Sequence, residues 1–444
     1  MTKMTELIIN IFNYLNKNVN YAVLRNYEGL PYSNTSRDID IIIEQKELNK
    51  HKNQIHTIIT NSGWQLVTYL NNGRLITYVC GMVCKDGVEL VQLDFFLDTS
   101  VYGIILAEAK EFMPTRKFNG QLYHVSEEYE FLDKYLYNRA VGAPYPEKYQ
   151  ALREQVKNSE LVKDKMKQVF GSTTMQQLDQ MNRKQLLSQA LVYNLKNRFF
   201  KTIYSVLQSR IIHLSSFLKS AVAPRIGFTG PDGAGKTTVI ELLYHKLSPV
   251  FEKATVFFHF RPTLFPNLGE TAKSAGLKKD VDREYHIPHR GAKNGKLSSF
   301  IRLCYYTLDY MVGFWIKVKP HGRLTRFVVF DRYYTDIIAD SRRSGIFLNE
   351  KFLYCWGKFF IPRLSYNILL TADSDIILSR KQELSREGIE EIQQKLLYLS
   401  KKKGYYLIQN NGKAEEAVHQ ILKLIFEKQH LKNLKRLKHG KRKD

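Results

Sequence analysis

Residues 225–239 read RIGFTGPDGAGKTTV, where an apolar run leads into a glycine-rich turn and then into an amphipathic helical pattern. The turn fits GxxxxGKT, and in this context the glycines let successive backbone N–H groups point inward around a di- or triphosphate. We expect Lys236 to reach the outer phosphates, Thr237 to hold Mg²⁺, and the positive end of the helix to face the anion. The stretch therefore predicts a binding loop for ATP and Mg²⁺ formed by Gly230, Asp232, Gly233, Gly235, Lys236, Thr237 and Thr238.

Short apolar runs alternate with helical patterns around this loop. The runs lie at residues 225–229, 254–260, 326–330, 366–370 and 405–409. This alternation indicates an α/β domain over residues 224–427, with a five-stranded parallel sheet wrapped by helices. Ligands bind such sheets at the carboxyl ends of the strands, and Asp331 and Arg332 directly follow the third run. The carboxylate can reach the hydration shell of Mg²⁺, and the guanidinium can pair with a phosphate.

The same segment resembles thymidylate kinase, a nucleoside monophosphate kinase of the P-loop class. The resemblance rests on FTGPDGAGKTT at residues 228–238, on Asp331-Arg332-Tyr333, and on a lid-like run, RKQELSR, at residues 380–386. It implies that Asp232 touches the acceptor sugar and that basic lid residues close over the transferring phosphoryl group. Phosphoryl transfer needs positioning and positive charge more than covalent catalysis. The implied catalytic residues are Lys236, Asp331, Arg332, Arg380 and Arg386.

The acceptor side departs from the thymidylate kinase pattern in three places. Arg261 continues as Pro-Thr-Leu-Phe-Pro instead of Glu-Pro-Gly-Gly-Thr, and Asp309 stands in Leu-Asp-Tyr instead of Ala-Asp-Arg. Tyr333 is followed by Tyr-Thr-Asp and later by Ala-Asp-Ser, where the family has a Ser and an Ala-Tyr-Gln. We therefore expect a sugar-containing or nucleotide-like acceptor other than thymidylate, contacted by Asp232, Arg261, Asp309 and Tyr333. Arg342 and Arg343 either hold an acceptor phosphate or lie at the surface.

An acidic pattern marks the N-terminal part of the chain. Residues 37–43 read RDIDIII, and a period of two places Asp38 and Asp40 on the same face of a strand. Two adjacent carboxylates raise each other's pKa unless a cation neutralises them, which is the geometry of a metal site. Asp94 lies in the apolar second strand of a hairpin formed by residues 74–84 and 88–97. The alternative is that Asp38 and Asp40 only close the loop before their strand.

This acidic pattern resembles the nucleotidyltransferase superfamily, whose paired and distal aspartates hold divalent ions that activate a nucleoside triphosphate. The resemblance implies that Asp38, Asp40 and Asp94 are metal ligands. Where that superfamily has small residues to hold the triphosphate, this chain has Leu24-Arg25-Asn26. We expect residues 1–150 to form an α+β nucleotidyltransferase-like domain, and the sequence leaves its catalytic activity open.

Helical patterns fill residues 151–223, which we expect to form a linker between the two domains. Residues 197–219 within it are amphipathic and basic, which suits either a helix packed between domains or a membrane surface. The tail, residues 428–444, is strongly basic, with a leucine at every third position from 431 to 437. Disorder is the favoured interpretation of the tail, and binding to an anionic membrane or to nucleic acid is the alternative.

Charge and cysteine content bound the partners and the compartment. The 444 residues include 67 Lys and Arg against 43 Asp and Glu, so the formal net charge is +24. This excess predicts attraction to a polyanion, such as a phosphorylated substrate, a membrane surface or nucleic acid. Four cysteines in a chain of this length indicate a reducing compartment. We expect a cytoplasmic protein, with peripheral membrane association as an alternative.

These patterns together predict an ATP- and Mg²⁺-dependent phosphotransferase that carries a nucleotidyltransferase-like domain on the same chain. One alternative is a strict thymidylate kinase. A second is a nucleic-acid end-processing or repair factor that combines the two domains, although the sequence has no recognised nucleic-acid-binding motif. A third is a nucleotide-gated scaffold without turnover.

Overall fold

The computed structural model describes residues 2–34, 36, 38–84, 87–171, 174–218, 224–251, 255–259, 264, 295–319 and 327–439. Two compact units divide the chain. The N-terminal unit comprises residues 1–82, 89–219 and 430–444, and the C-terminal unit comprises residues 83–88 and 220–429. Arg261, which we predicted to contact the acceptor, lies outside the described residues.

A mixed seven-stranded sheet lies at the centre of the N-terminal unit. Its strands are β1 (Tyr21–Val23), β2 (Asp38–Ile43), β3 (Gln65–Asn71), β4 (Leu75–Cys84), β5 (Gly87–Phe96), β8 (Lys117–Phe118) and β9 (Tyr123–His124). They lie in the order β3-β4-β5-β2-β1-β9-β8, and a separate ribbon pairs β6 (Asp98–Val101) with β7 (Ile104–Glu108). β4 and β5 are neighbours, as the predicted hairpin requires, and β2 runs parallel to β5.

Helices cover both faces of this sheet. They are α1 (Lys3–Asn18), α2 (Gln45–Asn61), α3 (Ala109–Phe112), α4 (Glu127–Val141), α5 (Gln150–Val156), α6 (Glu160–Phe170), α7 (Met175–Gln180) and α8 (Arg183–Leu218). Thr2 caps α1 by accepting from the Thr5 backbone N–H, and the apolar positions of α1 are buried. The helices predicted as a linker pack into the N-terminal core, where Val156 and Leu186 lie in one cluster with Ala22 and Ile42 of the sheet.

The C-terminal unit contains the predicted five-stranded parallel sheet. Its strands are β10 (Arg225–Thr229), β11 (Thr255–His259), β12 (Phe327–Asp331), β13 (Tyr366–Thr371) and β14 (Tyr405–Gln409), in the order β11-β12-β10-β13-β14. All of the strand pairs are parallel. The helices are α9 (Lys236–Phe251), then Lys296–Gly313, Tyr334–Ala339, Ser341–Ser344, Glu350–Phe360, Ser374–Arg380, Arg386–Ser400 and Ala414–His439. The alternation of apolar runs and helical patterns therefore predicted this sheet correctly.

The basic tail is helical up to His439, so the expectation of disorder is wrong for residues 428–439. His430 accepts a hydrogen bond from the Leu66 backbone N–H at 3.0 Å, and the Asn433 amide donates to the Leu66 carbonyl at 3.0 Å. Leu437 is buried in the N-terminal core. Burial of Leu437 and Asn433, together with the hydrogen bonds to Leu66, explains why this part of the tail is ordered.

Candidate functional site: a phosphate-binding loop and an acidic cluster

The loop between β10 and α9 has a shape that depends on its glycines. A Cβ atom on Gly230 would lie 2.1 Å from the Leu370 carbonyl oxygen, which is far inside van der Waals contact. Gly235 has a φ of 86°, in the left-handed region that side chains disfavour. The chain therefore turns closely past β13 and enters α9 at Lys236 with its first helical N–H groups at the loop.

Lys236 lies folded over this loop. Its ammonium group donates hydrogen bonds of 2.8 Å to the carbonyl oxygens of Gly230 and Pro231, and only 6% of the residue is exposed. Burial, together with the charge of the nearby Arg332 guanidinium, lowers the pKa of Lys236 to about 8. Thr237 and Thr238 are exposed at the start of α9. These residues bring one ammonium group and the first N–H groups of α9 together, an arrangement that suits an anion.

Asp232 of the loop lies in a buried network of cations. Its carboxylate oxygens accept from Arg332, at 2.5 Å, and from Arg343, and the Lys236 ammonium lies 3.7 Å away. Arg332 also donates to Asp336 at 3.2 Å and has a φ of 70°, a strained backbone conformation for a residue with a side chain. A strained backbone conformation persists where surrounding contacts stabilise it. Here the two terminal nitrogens of the Arg332 guanidinium contact the carboxylates of Asp336 and Asp232.

Asp331 ends β12 beside this network, as the sequence predicted. One carboxylate oxygen contacts the His259 ring nitrogen at 3.0 Å. Burial by itself would raise the pKa of Asp331, but the hydrogen bond from His259 and the charges of Arg332 and Lys236 lower it. Asp331 is therefore ionised near neutral pH, the form that a metal-bound water or Mg²⁺ requires.

The predicted lid residues occupy two different environments. Arg380 donates to the Asn410 carbonyl at 3.0 Å, and its guanidinium lies 3.9 Å from the position of a Cβ atom on Gly235. Arg386 instead forms an ion pair with Asp375, and both side chains are exposed. The structure therefore brings Arg380 to the phosphate-binding loop and places Arg386 at the surface.

The predicted acceptor residues also differ in their surroundings. Tyr333 is buried, and its hydroxyl donates to the Pro362 carbonyl at 2.7 Å, so the structure places it in the core. Asp309 is fully buried and accepts from the Leu264 backbone N–H at 2.8 Å. Arg342 is exposed and lies 3.8 Å from Glu391 at the surface. Arg343, the next residue in the sequence, contacts Asp232 and is the arginine that lies at the site.

Three site residues were missed by sequence reasoning. Asn410 donates to the Ala234 carbonyl of the loop at 2.8 Å and is buried. His259 contacts Asp331, and Asp336 holds Arg332. Asn410 directly follows β14 and His259 ends β11, so the rule that sites form at the carboxyl ends of parallel strands could have found both.

The predicted acidic cluster forms in the N-terminal unit. Asp40 pairs in register with Asp94 of β5, and one ligand atom from each of Asp38, Asp40 and Asp94 lies within 4.8 Å of the others. Asp94 accepts hydrogen bonds from Thr77 at 2.6 Å and from Gln92 at 2.9 Å, which fix its orientation. The β2 strand thus places the two carboxylates of the DxD pair beside the third, as the period of two predicted.

Arg25 approaches this cluster from the end of β1. Its guanidinium contacts Asp40 at 2.6 Å and Asp133 at 2.9 Å, and Thr99 donates to Asp133 at 2.8 Å. Asp40 is 2% exposed, and its other carboxylate oxygen has no hydrogen-bond partner among the described residues. Burial raises the pKa of Asp40 to about 7, with Arg25 opposing the shift and Asp38 adding to it. A buried carboxylate oxygen without a donor is the group that a cation would satisfy.

Comparisons with known proteins find a family match in the C-terminal unit. Residues 228–421 match the family model for thymidylate kinase. A solved structure of thymidylate kinase from Ehrlichia chaffeensis is similar at 17% identity and a TM-score of 0.33, and the match covers 46% of this chain and 98% of that one. No curated protein matches the chain. The family match confirms the predicted resemblance of this region, and it implies a P-loop kinase that performs ATP-dependent nucleotide phosphotransfer.

Among the helices of the described residues, none combines the length and the hydrophobicity that a membrane-spanning segment needs.

Proposed function

We propose that the C-terminal unit transfers the terminal phosphoryl group of ATP to a sugar-containing or nucleotide-like acceptor other than thymidylate. The observation that supports phosphoryl transfer is the loop, where the buried Lys236 ammonium, the N-terminus of α9 and a close glycine turn come together. The altered acceptor rests on the three departures from the thymidylate kinase pattern in the sequence. Mg²⁺-ATP, when bound, supplies the phosphoryl group and the metal charge. Thr237 and Asp331 are the residues that would hold the metal, because both offer oxygen ligands beside the loop.

The chain's own groups position the reactants and stabilise the developing charge. Lys236 exchanges its two carbonyl contacts for phosphate oxygens, and Arg380 offers a second cation next to Gly235. Arg332 and Arg343 hold the Asp232 carboxylate through one oxygen each, and we propose that this carboxylate also accepts a hydrogen bond from an acceptor hydroxyl. Preorganised cations of this kind lower the barrier most where negative charge develops in the transition state.

An acceptor screen with labelled ATP tests this proposal. The panel contains nucleoside monophosphates including thymidylate, sugars and sugar phosphates, and an oligonucleotide with a free 5′-hydroxyl. We expect label on a sugar-containing or nucleotide-like acceptor with the wild-type protein and with Asp38→Ala, but not with Lys236→Ala. Selective labelling of thymidylate would instead support the strict kinase, and labelling of the oligonucleotide alone would support an end-processing factor. No transfer to any acceptor, together with retained ATP binding, would favour the scaffold.

We infer a second function, a divalent-cation site, for the acidic cluster of the N-terminal unit. The observation that favours it is the buried Asp40 oxygen that lacks a donor, set among ligand atoms within 4.8 Å of one another. Arg25 contacts the opposite oxygen of the same carboxylate, so one coordination direction stays free of protein donors. A metal-dependent nucleotidyltransferase activity would use such a site, as the resemblance of this region suggests.

Titration with Mn²⁺ tests the cation site. Asp94→Asn should weaken Mn²⁺ binding at least about tenfold, since even residues that only orient metal ligands are worth about 10- to 100-fold in affinity. Asp164→Asn, a change of the same chemistry at an exposed position on α6, should leave binding unchanged. Equal Mn²⁺ affinity in the wild type and in Asp94→Asn would contradict the site.

A further inference from the structure

From the kink at Arg198 onward, helix α8 buries several polar side chains and exposes a stripe of apolar ones. Thr202 and Ser205 are 1% and 2% exposed, and Asn194 is also buried. Phe200 and Tyr204 are 85% and 67% exposed on the opposite side. The outward stripe repeats at three- and four-residue steps, as one helical face does, and comprises Phe200, Ile203, Tyr204, Leu207, Ile211 and Leu214.

Hydrogen bonds hold α8 in this orientation. Thr202 donates to the carbonyl oxygens of Asn194, at 3.0 Å, and Arg198, at 2.8 Å, across a kink at Arg198. Ser205 donates to the Gly103 carbonyl at 2.6 Å, and a Cβ atom on Gly103 would lie 2.7 Å from the Ser205 carbonyl oxygen. Rotating the helix to turn the stripe inward would break these hydrogen bonds and leave buried polar groups without partners. The exposed apolar face is therefore built into the fold of the N-terminal unit.

The charge of α8 indicates what covers that face. Residues 183–218 contain six Lys and Arg and no Asp or Glu. Arg198 and Lys201 contact Glu108 of the same unit, whereas Lys196 and Arg210 are exposed. Two copies of this helix packed face to face would bring cations together with no carboxylate on α8 to offset them. An anionic lipid surface offers both an apolar boundary for the stripe and negative charge for the flanking cations.

We propose that residues 199–214 of α8 bind the surface of an anionic membrane. The apolar stripe lies in the boundary between headgroups and acyl chains, and Lys196 and Arg210 contact lipid phosphates. Binding is peripheral, because none of the helices in the described parts of the chain could span a bilayer. This inference does not depend on the proposed kinase activity.

Cosedimentation of the full chain with vesicles tests the proposal. The vesicles are phosphatidylcholine alone, or phosphatidylcholine mixed with phosphatidylglycerol. We expect the wild type to sediment only with the anionic vesicles. Lys196→Gln with Arg210→Gln should weaken that binding about 30-fold, since each cation near an anionic surface contributes about a factor of five.

A matched pair of double variants shows whether vesicle binding depends on the apolar stripe of α8 or on any exposed apolar residues. Phe200→Ser with Leu207→Ser should abolish sedimentation with anionic vesicles. Phe118→Ser with Leu431→Ser removes the same two residue types at exposed positions of the same unit and should bind as the wild type does. Thermal unfolding of each variant shows whether the fold is retained.

Three results would overturn the proposal. Wild-type protein that ignores anionic vesicles contradicts it, and so does loss of binding only in the variant of Phe118 and Leu431. The third result would come from sedimentation velocity. If the wild type is a dimer and the double variant Phe200→Ser with Leu207→Ser is a monomer, the stripe binds a second copy of the chain.

Discussion

Asp232 in the C-terminal unit and Asp40 in the N-terminal unit are both buried aspartates, but cations compensate them to different degrees. Asp232 contacts two arginines and lies 3.7 Å from the Lys236 ammonium, so three cations surround that carboxylate, and Arg332 and Arg343 also pair with Asp336 and Asp340. Asp40 contacts one arginine and shares its surroundings with Asp38 and Asp94, so carboxylates are in excess. The first arrangement favours an anionic ligand such as a polyphosphate, and the second favours a cation.

Removing the central cation of the C-terminal site gives the largest expected effect. Lys236→Ala should reduce phosphoryl transfer about 10³-fold, because a preorganised charge at the transferring group is lost. Steady-state turnover with the acceptor found in the screen measures this. Lys246→Ala changes a second lysine of the same helix, α9, and should keep wild-type turnover. Comparable turnover in all three proteins would show that the loop does not act on phosphate.

Replacing Arg25 in the N-terminal unit should lower the stability of the protein, and a divalent metal ion should restore it. Arg25→Gln leaves buried Asp40 and Asp133 without their cation and should lower the free energy of unfolding by about 3 kcal/mol. Added Mg²⁺ or Mn²⁺ should restore much of that stability, because the metal replaces the lost positive charge. Denaturant unfolding with and without the ion measures both effects. A loss of stability that neither ion reverses would contradict a cation site there.

The two neighbouring arginines of the C-terminal unit should differ in their effect on the acceptor. Arg343→Ala should lower kcat/KM for the acceptor about 30-fold, since a charge-assisted contact to Asp232 contributes about 1.5 to 3 kcal/mol. Arg342→Ala removes an exposed arginine and should change this value little. Initial rates at varied acceptor concentration give kcat/KM for each variant. Equal losses of kcat/KM in both variants would contradict a role for Arg343 in the site.

A smaller effect should appear in the pH dependence of ATP binding. Burial lowers the pKa of Lys236 to about 8, so its ammonium form is present below that pH and is lost above it. Because phosphates need the charged form, ATP affinity should fall about tenfold between pH 7 and pH 9, and binding at pH 8 should take up protons. Calorimetry in two buffers with different ionisation enthalpies measures this uptake. Lys236→Arg should bind without it, and proton release by the wild type would contradict the assignment.

The parallel sheet and the close glycine-rich turn before α9 were predictable because their signals are local. The glycines and the Lys-Thr pair of the loop lie within a few residues of one another, and each apolar run is a continuous stretch of five to seven residues. The acidic cluster followed from the period of two in β2, which places Asp38 and Asp40 on one face. Its third member needed only the parallel pairing of β2 with β5.

The remaining features depend on contacts between distant parts of the sequence. Arg332 and Arg343 lie at least 100 positions from Asp232, and no local pattern indicates which of two adjacent arginines turns inward. Arg25 looked like a departure from a small-residue motif, and only the fold shows that it binds Asp40 and Asp133. The exposed apolar face of α8 was not predicted for a similar reason. Periodicity identifies the two faces of a helix but not which one packs inward.

Binding of ATP to the purified chain, measured by calorimetry with and without Mg²⁺, tests the central claim most directly. The claim is that the backbone amides of the loop and the Lys236 ammonium hold the terminal phosphates. We predict binding by the wild type that strengthens with Mg²⁺ and is lost in Lys236→Ala. Absence of ATP binding by the wild type, or equal binding by Lys236→Ala, would contradict the account.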